Sequence, residues 1–258
     1  MPHLPLLRVV PLESIRRHEE IDPLRVERLV ARIEAEGIQV NPMVCCHAPD
    51  GELVLLDGAT RTESLRSMGL NHAIVQMVEP EEINLETWHH VVRGVGPEEV
   101  LAAVSERPTL VLSEDTGTPS IHVNGAESRL VLGDGVSANA TLATLVDSYI
   151  GKWRVSRVAD PSLDPVAWSF PDWSVVVEFP ILTLDDVMQA AVSHDLLPAG
   201  ITRFLVNERA LRLNVSIDLL ASEEAIESKQ EMLEEILAER AREGRVRRYE
   251  ETVFILDE

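Results

Sequence analysis

The clearest chemical signal in the chain is an apolar run that ends at Asp57 and continues into Gly58, Ala59, Thr60 and Arg61. Glycine permits a tight turn, and the backbone N–H groups at the start of a helix bind phosphate well when a hydroxyl and a guanidinium assist them. A carboxylate at the end of the strand can bind Mg²⁺ or a substrate hydroxyl. The segment therefore predicts a phosphate site; the alternative is an ordinary strand-turn-helix in which Asp57 only caps the helix.

A second group of candidate residues is the carboxylate pair Glu19 and Glu20, which lies in a predicted loop before a helix. A positioned carboxylate can accept the proton of a reacting hydroxyl, whereas acidic residues just before a helix more often interact with its dipole. His18 begins a zinc-protease H-E-x-x-H pattern, but Asp22 occupies the position of the second histidine. No zinc site is predicted there.

Two adjacent histidines, His89 and His90, follow Trp88 in a segment expected to be a strand. Neighbouring side chains on a strand point to opposite faces, so the two imidazoles cannot share one metal ion. One of them can still face a ligand.

The net charge limits the partners that the chain can bind. Its 258 residues include 23 Lys and Arg against 44 Asp and Glu, which gives −21. This field repels phosphate backbones and anionic lipid, so binding to nucleic acid or to a membrane is not expected. Cys45 and Cys46 are adjacent and offer neither a disulfide staple nor a metal-binding spacing. We expect a cytoplasmic protein that binds small molecules, with an oligomeric state that the sequence does not indicate.

The elements that must position these groups form an α+β pattern, which we divide into domains of residues 1–96 and 97–258. Asp22 and Pro23 begin a helix that Gly37 ends, and the turn 48–51 joins two strands into a hairpin. The pattern predicts strands at 7–10, 43–46, 52–56, 73–78, 85–92, 109–112, 120–123, 128–132, 153–158, 175–179, 202–206, 210–213 and 251–256. It predicts helices at 23–36, 58–69, 97–105, 137–150, 184–194 and 222–242, with an irregular connection at 161–171.

A glycine pattern from Gly133 to Ala138, G-x-G-x-x-A, stands between a predicted strand and a predicted helix. It resembles a dinucleotide fingerprint, which favours NAD-dependent oxidoreductase chemistry. The further βαβ units of a doubly wound sheet do not follow, and a proline-rich segment does. We keep this interpretation only as a minor alternative.

Taken together, the motifs resemble the ParB/sulfiredoxin-type fold in its free-serine-kinase branch. In the first domain they are His18-Glu19, the D-P-L-R helix start at Asp22, N-P-M-V at Asn41 and D-G-A-T-R at Asp57. Later segments are similar to the serine kinase of siderophore biosynthesis, namely Glu86 to His89, Pro198 to Phe204 and Tyr249 to Leu256. The resemblance covers nearly the whole chain and is weakest over 97–171.

This resemblance implies a ParB/sulfiredoxin-like N-terminal domain packed with a C-terminal α/β domain. It also implies a Mg²⁺-dependent kinase that transfers phosphate from ATP or ADP to free L-serine, giving O-phospho-L-serine for siderophore or other specialised amino-acid biosynthesis. By resemblance, Glu19 is the base and Asp57 orients the hydroxyl or the metal. The other implied residues are Gly58, Ala59, Thr60 and Arg61 on the phosphates, and Trp88, His89, Thr202 and Arg203 in the amino-acid pocket, with Arg203 on the carboxylate.

One position departs from the family pattern, which reads Asp-Gly-x-His-Arg, because Thr60 replaces the histidine. A threonine hydroxyl still contacts phosphate but cannot become cationic, so any acid role of this position is lost. An altered acceptor and a degenerate enzyme stay open. So does a ParB-like nucleotide- or DNA-binding regulatory module without kinase activity, which the net charge and the lack of a basic recognition helix disfavour.

Overall fold

A computed structural model of the protein describes residues 4–124 and 128–249. The strands are β1 (Leu7–Pro11), β2 (Ile15–Arg17), β3 (Ile38–Gln39), β4 (Met43–His47), β5 (Leu53–Asp57), β6 (His72–Met77), β7 (Ile83–Thr87), β8 (His89–Arg93), β9 (Leu110–Ser113), β10 (Ser120–Val123), β11 (Arg129–Gly133), β12 (Arg154–Val158), β13 (Trp173–Glu178), β14 (Thr202–Val206) and β15 (Val215–Ser216). The α-helices are α1 (Pro23–Glu36), α2 (Ala59–Ser67), α3 (Pro97–Ser105), α4 (Ala138–Tyr149), α5 (Leu163–Ser169), α6 (Leu184–Ser193), α7 (Ile217–Ala221) and α8 (Ile226–Arg242).

The first sheet has five strands in the order β1-β6-β4-β5-β2. The strands β4 and β5 are antiparallel, and their connecting turn closes with an N–H of Gly51 donating to the carbonyl of Ala48 at 2.8 Å. Both strands are apolar almost throughout because both faces of this sheet are buried. Met43, Cys45 and Leu55 pack in one cluster beneath α1 and α2, and the alternate residues of the two strands belong to the large core shared with the second sheet.

The second sheet has six antiparallel strands in the order β12-β8-β13-β10-β11-β9. On one face, α3 and α4 contribute Val104, Leu145 and Tyr149 to the shared core. On the other face, α5 packs Val166 against Val91. The strand β12 is an edge strand, so the side chains at its end are free to reach another part of the molecule.

The C-terminal part of the chain returns to the first sheet. Strand β14 pairs with β7, and α8 packs on β1 with Gln230 accepting from the N–H of Val9 at 2.9 Å. Lys229 is fully buried and donates to the carbonyls of Leu220 and Ser222, each at 2.8 Å. Arg209, which follows β14, bonds the carbonyl of Phe204 on β14 and Asp57 at the end of β5, so these two strands meet there.

Many predicted elements are confirmed, including the mixed helix and strand content. The helix α1 begins and ends as expected, because Asp22 accepts from the N–H of Leu24 at 2.9 Å and Gly37 adopts a left-handed conformation with φ 67°. Residues 202–206 and 97–105 form the predicted strand and helix.

Four predictions of local structure are wrong. The single strand 85–92 is two strands in different sheets, because the N–H of Trp88 bonds the carbonyl of Ile201 at 2.8 Å and the chain crosses between them. Residues 161–171 include the helix α5, and 210–213 form no strand. Ser222 ends α7 rather than starting α8. The strand predicted at 251–256 lies outside the described residues.

Among the described residues, no helix is both long enough and apolar enough to cross a membrane.

Candidate active site

A cavity of about 760 Å³ lies where the end of β5 and the start of α2 face α1 and β14. Nine of the ten predicted site residues line it, namely Glu19, Asp57, Gly58, Ala59, Thr60, Arg61, Trp88, Thr202 and Arg203. The structure therefore brings together segments that are up to about 180 residues apart in sequence, consistent with one site rather than several.

The lining of the cavity is positively charged although the chain is strongly acidic. Its cationic side chains are Arg25, Arg28, Arg32, Arg61, Arg157, Arg203 and Arg209, and its carboxylates are Glu19, Glu20, Asp22 and Asp57. Such a local excess of guanidinium groups attracts anions and binds phosphate or carboxylate oxygens in two-point contacts. The cavity is therefore suited to an anionic ligand.

The turn after β5 has the shape that the sequence predicted. Gly58 adopts φ 111°, and a Cβ at this position would lie 2.7 Å from Cγ of Met43 and 2.9 Å from Nη2 of Arg61, so only glycine fits. Helix α2 begins at the next residue, and its first N–H groups have no partner within the helix. The alternative role of Asp57 as a cap is wrong, because no side chain caps α2.

Asp57 instead holds two arginines. Its Oδ2 accepts from Nη2 of Arg61 at 3.1 Å and from Nη1 of Arg209 at 2.5 Å. Burial alone would raise the pKa of this carboxyl, but the two guanidinium groups outweigh burial and lower it. Asp57 is therefore ionised at neutral pH and holds both arginines beside the turn at Gly58.

Glu19 is held by the segment just before β14. Its Oε2 accepts from the N–H of Gly200 at 2.9 Å. The backbone on either side is tied to Leu197, which donates to the carbonyl of His18 at 2.9 Å and accepts from the N–H of Glu20 at 2.8 Å. One carboxylate oxygen is thus anchored, while the side chain still lines the cavity.

His18 supports the site from behind. It is 1% exposed, and burial lowers the pKa of its imidazole, which stays neutral. Nδ1 donates to the carbonyl of Leu55 at 2.7 Å, since that oxygen can only accept, so Nε2 must accept from the hydroxyl of Thr202 at 3.2 Å. This pairing fixes β14 against β5.

Trp88 and Arg203 form one wall of the cavity. The guanidinium of Arg203 lies 4.3 Å from the centre of the Trp88 ring, and Nη1 donates to Oε2 of Glu86 at 2.9 Å. Stacking and the ion pair hold the guanidinium in one orientation. Its remaining donors can bind the carboxylate of a small ligand.

His89 is the exception among the predicted residues. It is 7% exposed and its Nδ1 accepts from the N–H of Phe179 at 3.1 Å, away from the cavity. The neighbouring Trp88 lies between β7 and β8, and its side chain lines the cavity. The structure thus gives His89 a place in the core and not in the pocket wall.

Sequence reasoning missed several arginines of the cavity. Arg25, Arg28 and Arg32 are spaced i, i+3 and i+7 on α1 and so share one helix face, a signal that was available in the sequence. Arg209, which follows β14, and Arg157 on β12 had no such local signal. Only the fold brings these two to the site.

The carboxylates of the cavity determine how a metal ion would bind. Among the residues that the structure describes, no group of three or more His, Cys, Asp or Glu side chains is suited to hold one. Mg²⁺ commonly uses one or two carboxylates and completes its shell with phosphate oxygens and water. Asp57 fits that minimal role, since both of its arginine contacts use Oδ2.

Comparisons with known proteins agree with the resemblance drawn from the motifs. The chain is 25% identical over 254 residues to the ATP-dependent L-serine kinase SbnI of Staphylococcus aureus, across 98% of this chain and 97% of that protein. A C-terminally truncated SbnI structure from S. aureus matches with a TM-score of 0.75 and 24% identity, over 91% of this chain and 97% of that one. A free serine kinase in complex with AMP matches with a TM-score of 0.73 and 15% identity, over 84% and 95%.

No protein-family model matches the chain. The structural matches show a shared fold over most of the described residues. The predicted similarity to the free serine kinases is confirmed.

Proposed function

We propose that the protein is a kinase of free L-serine that uses ATP or ADP and forms O-phospho-L-serine. The observation that carries the proposal is the arginine-lined cavity, which brings together the Glu19 carboxylate, the turn at Gly58 and the stacked guanidinium of Arg203. The similarity to a protein described as an ATP-dependent L-serine kinase, over 98% of this chain, supports it. An AMP complex of a protein with the same fold supports the nucleotide.

The geometry supports the following assignment of the reacting groups. Glu19 accepts the proton of the serine hydroxyl, because its carboxylate lines the cavity with one oxygen anchored by Gly200. The backbone of Gly58 to Arg61, the Thr60 hydroxyl and the Arg61 guanidinium bind the phosphates. Phosphoryl transfer depends mainly on such positioning and on charge stabilisation, so no covalent intermediate with the protein is needed.

In this proposal the amino-acid substrate binds at the wall formed by Trp88 and Arg203, opposite the phosphates. Arg203, held by Trp88 and Glu86, binds the serine carboxylate, and Thr202 completes this wall. Mg²⁺, held by Asp57 and the phosphate oxygens, neutralises charge on the phosphates when it is bound. His89 acts only through the core, because Phe179 occupies its Nδ1.

The fold assignment is part of the same proposal. We place a ParB/sulfiredoxin-like domain at 1–96, which contains the five-stranded sheet, and an α/β domain at 97–258. The supply of O-phosphoserine to siderophore or other specialised amino-acid biosynthesis stays a prediction from the resemblance.

An acceptor panel tests the proposed reaction. The purified protein is incubated with Mg²⁺, ATP or ADP, and L-serine, L-threonine or L-homoserine in separate reactions, and products are identified by mass spectrometry. We expect phosphoserine with at least one donor and much slower reaction of the other acceptors. Phosphorylation of threonine or homoserine in preference to serine would replace the assigned substrate.

A further inference from the structure

Arg157 reaches the candidate base from a distant part of the fold. It lies on the edge strand β12, yet its guanidinium rests against Gly200, where an added Cβ would be 1.9 Å from Nη2 and 2.4 Å from Cζ. The N–H of the same Gly200 bonds Glu19. A single residue thus separates the carboxylate of Glu19 from the guanidinium of Arg157.

The guanidinium of Arg157 contacts Gly200 but has no polar partner among the described residues. Among the described residues it makes no hydrogen bond and no ion pair, in contrast to Arg61 and Arg209, which share Asp57. The side chain of Arg25, across the cavity on α1, likewise has no such partner in the described part of the chain.

These two arginines line the same cavity and carry like charges. Arg157 is exposed overall, but the partial burial of its guanidinium and the charge of Arg25 lower its pKa, and Glu19 and Tyr149 oppose them. Two guanidinium groups that repel one another across an open cavity are stabilised together when an anion binds between them. Neither group forms an ion pair with a described carboxylate, so both guanidinium groups are available to the anion of a ligand.

We propose that Arg157 and Arg25 bind the terminal phosphate of the nucleotide, which makes Arg157 a further catalytic residue of the reaction proposed above, on which this inference rests. Arg61 and the turn at Gly58 bind the inner phosphates. The terminal phosphate then lies beside Glu19, where the serine hydroxyl is deprotonated.

The transfer exchanges one P–O bond for another. Glu19 takes the hydroxyl proton as the serine oxygen forms its bond to the terminal phosphorus. The bond from that phosphorus to the bridging oxygen breaks, and its electron pair leaves with the shortened nucleotide. Arg157 stabilises the negative charge that spreads over the transferred group, the role of an arginine finger supplied within one chain.

Calorimetric titration of AMP and of ATP, without serine, tests the subsite through binding alone. The variants are Arg157→Gln, Arg157→Lys and Arg25→Gln, and the matched control is Arg154→Gln, on the same strand but outside the cavity lining. Arg157→Gln and Arg25→Gln should bind ATP about 10- to 100-fold more weakly, the loss of a charge-assisted hydrogen bond, and bind AMP as wild type does. Arg157→Lys should lie between, because it keeps the charge without the two-point contact.

Turnover gives a second readout. With serine present, Arg157→Gln should lower kcat by about 1,000-fold or more, the effect of removing an arginine finger, while Arg154→Gln stays at the wild-type rate. If Arg157→Gln lowers AMP and ATP affinity equally, or neither, the assignment is overturned. If Arg157→Gln lowers the melting temperature, the titrations of Arg157→Lys and Arg25→Gln decide instead. A selective loss of ATP affinity supports the assignment, and an equal loss for AMP and ATP, or no loss, overturns it.

The two proposals fail separately. If the wild-type protein makes no phosphoserine, the serine kinase is refuted. If Arg157→Gln nevertheless weakens the binding of ATP and not of AMP, the terminal-phosphate subsite is still supported. A protein that makes phosphoserine at an unchanged rate with Arg157→Gln supports the kinase and overturns the subsite.

Discussion

Replacement of Glu19 by glutamine separates the chemistry of this carboxylate from its place in the fold. In the wild-type protein the N–H of Gly200 donates to Oε2 of Glu19 at 2.9 Å. The amide oxygen of the variant can still accept this hydrogen bond, so the loop keeps its anchor. The stability cost is then only the difference between a charged and a neutral acceptor, about 1 kcal/mol. The amide cannot accept a proton, and loss of a positioned general base costs about 10² to 10⁴ in rate, or about 2.7 to 5.4 kcal/mol of barrier.

The assay compares kcat for phosphoserine formation with nucleotide affinity and melting temperature. Glu20→Gln is the control, because it removes an equal charge from the same cavity wall. We expect a loss below about tenfold for Glu20→Gln. A Glu19→Gln enzyme with near-normal kcat, or equal losses in both variants, would refute the assignment of the base.

Three further predictions concern the phosphate turn and its supports. Arg61→Ala should weaken nucleotide binding by about 1.5 to 3 kcal/mol, and Thr60→Ala by only about 0.5 to 1.5 kcal/mol, in calorimetric titrations; the reverse order would contradict the turn. Because the pKa of Asp57 is lowered, its ionised form stabilises the fold at pH values above its ordinary 3.8, and this contribution is lost as pH falls through the lower native value. The difference in unfolding free energy between wild type and Asp57→Asn, measured with denaturant, should therefore shrink below about pH 3.8; a constant difference would argue against it. Gly200→Ala should destabilise the protein by about 1 to 2 kcal/mol or more and reduce kcat, because φ is 80° and the new Cβ would displace Arg157; unchanged melting and kcat would count against that geometry.

Local patterns predicted the parts of the site that are contiguous in sequence. The Asp22 cap, the hairpin of β4 and β5 and the turn at Gly58 each depend on residue types within a few positions, and the structure has all three. The glycine pattern at Gly133 lies apart from the candidate site. Gly133 packs against Thr141, and that segment does not line the cavity.

The remaining features depend on pairing between distant residues, which a single sequence does not encode locally. The ion pair of Asp57 with Arg209 spans 152 positions. The split of 85–92 at Trp88 accompanies a hydrogen bond to the carbonyl of Ile201, the residue just before β14. Alternation of apolar residues continues through such a crossing, so hydropathy alone reads it as one strand.

The most direct measurement follows both products of one reaction by ³¹P NMR. Wild-type protein is mixed with L-serine, Mg²⁺ and the donor nucleotide, and the phosphomonoester and shortened-nucleotide signals are integrated over time, with a serine-free sample alongside. The account predicts one phosphoserine for each phosphoanhydride bond broken, and no comparable loss of nucleotide without serine. Breakdown of nucleotide at the same rate in both samples, with no phosphomonoester on serine, would contradict it.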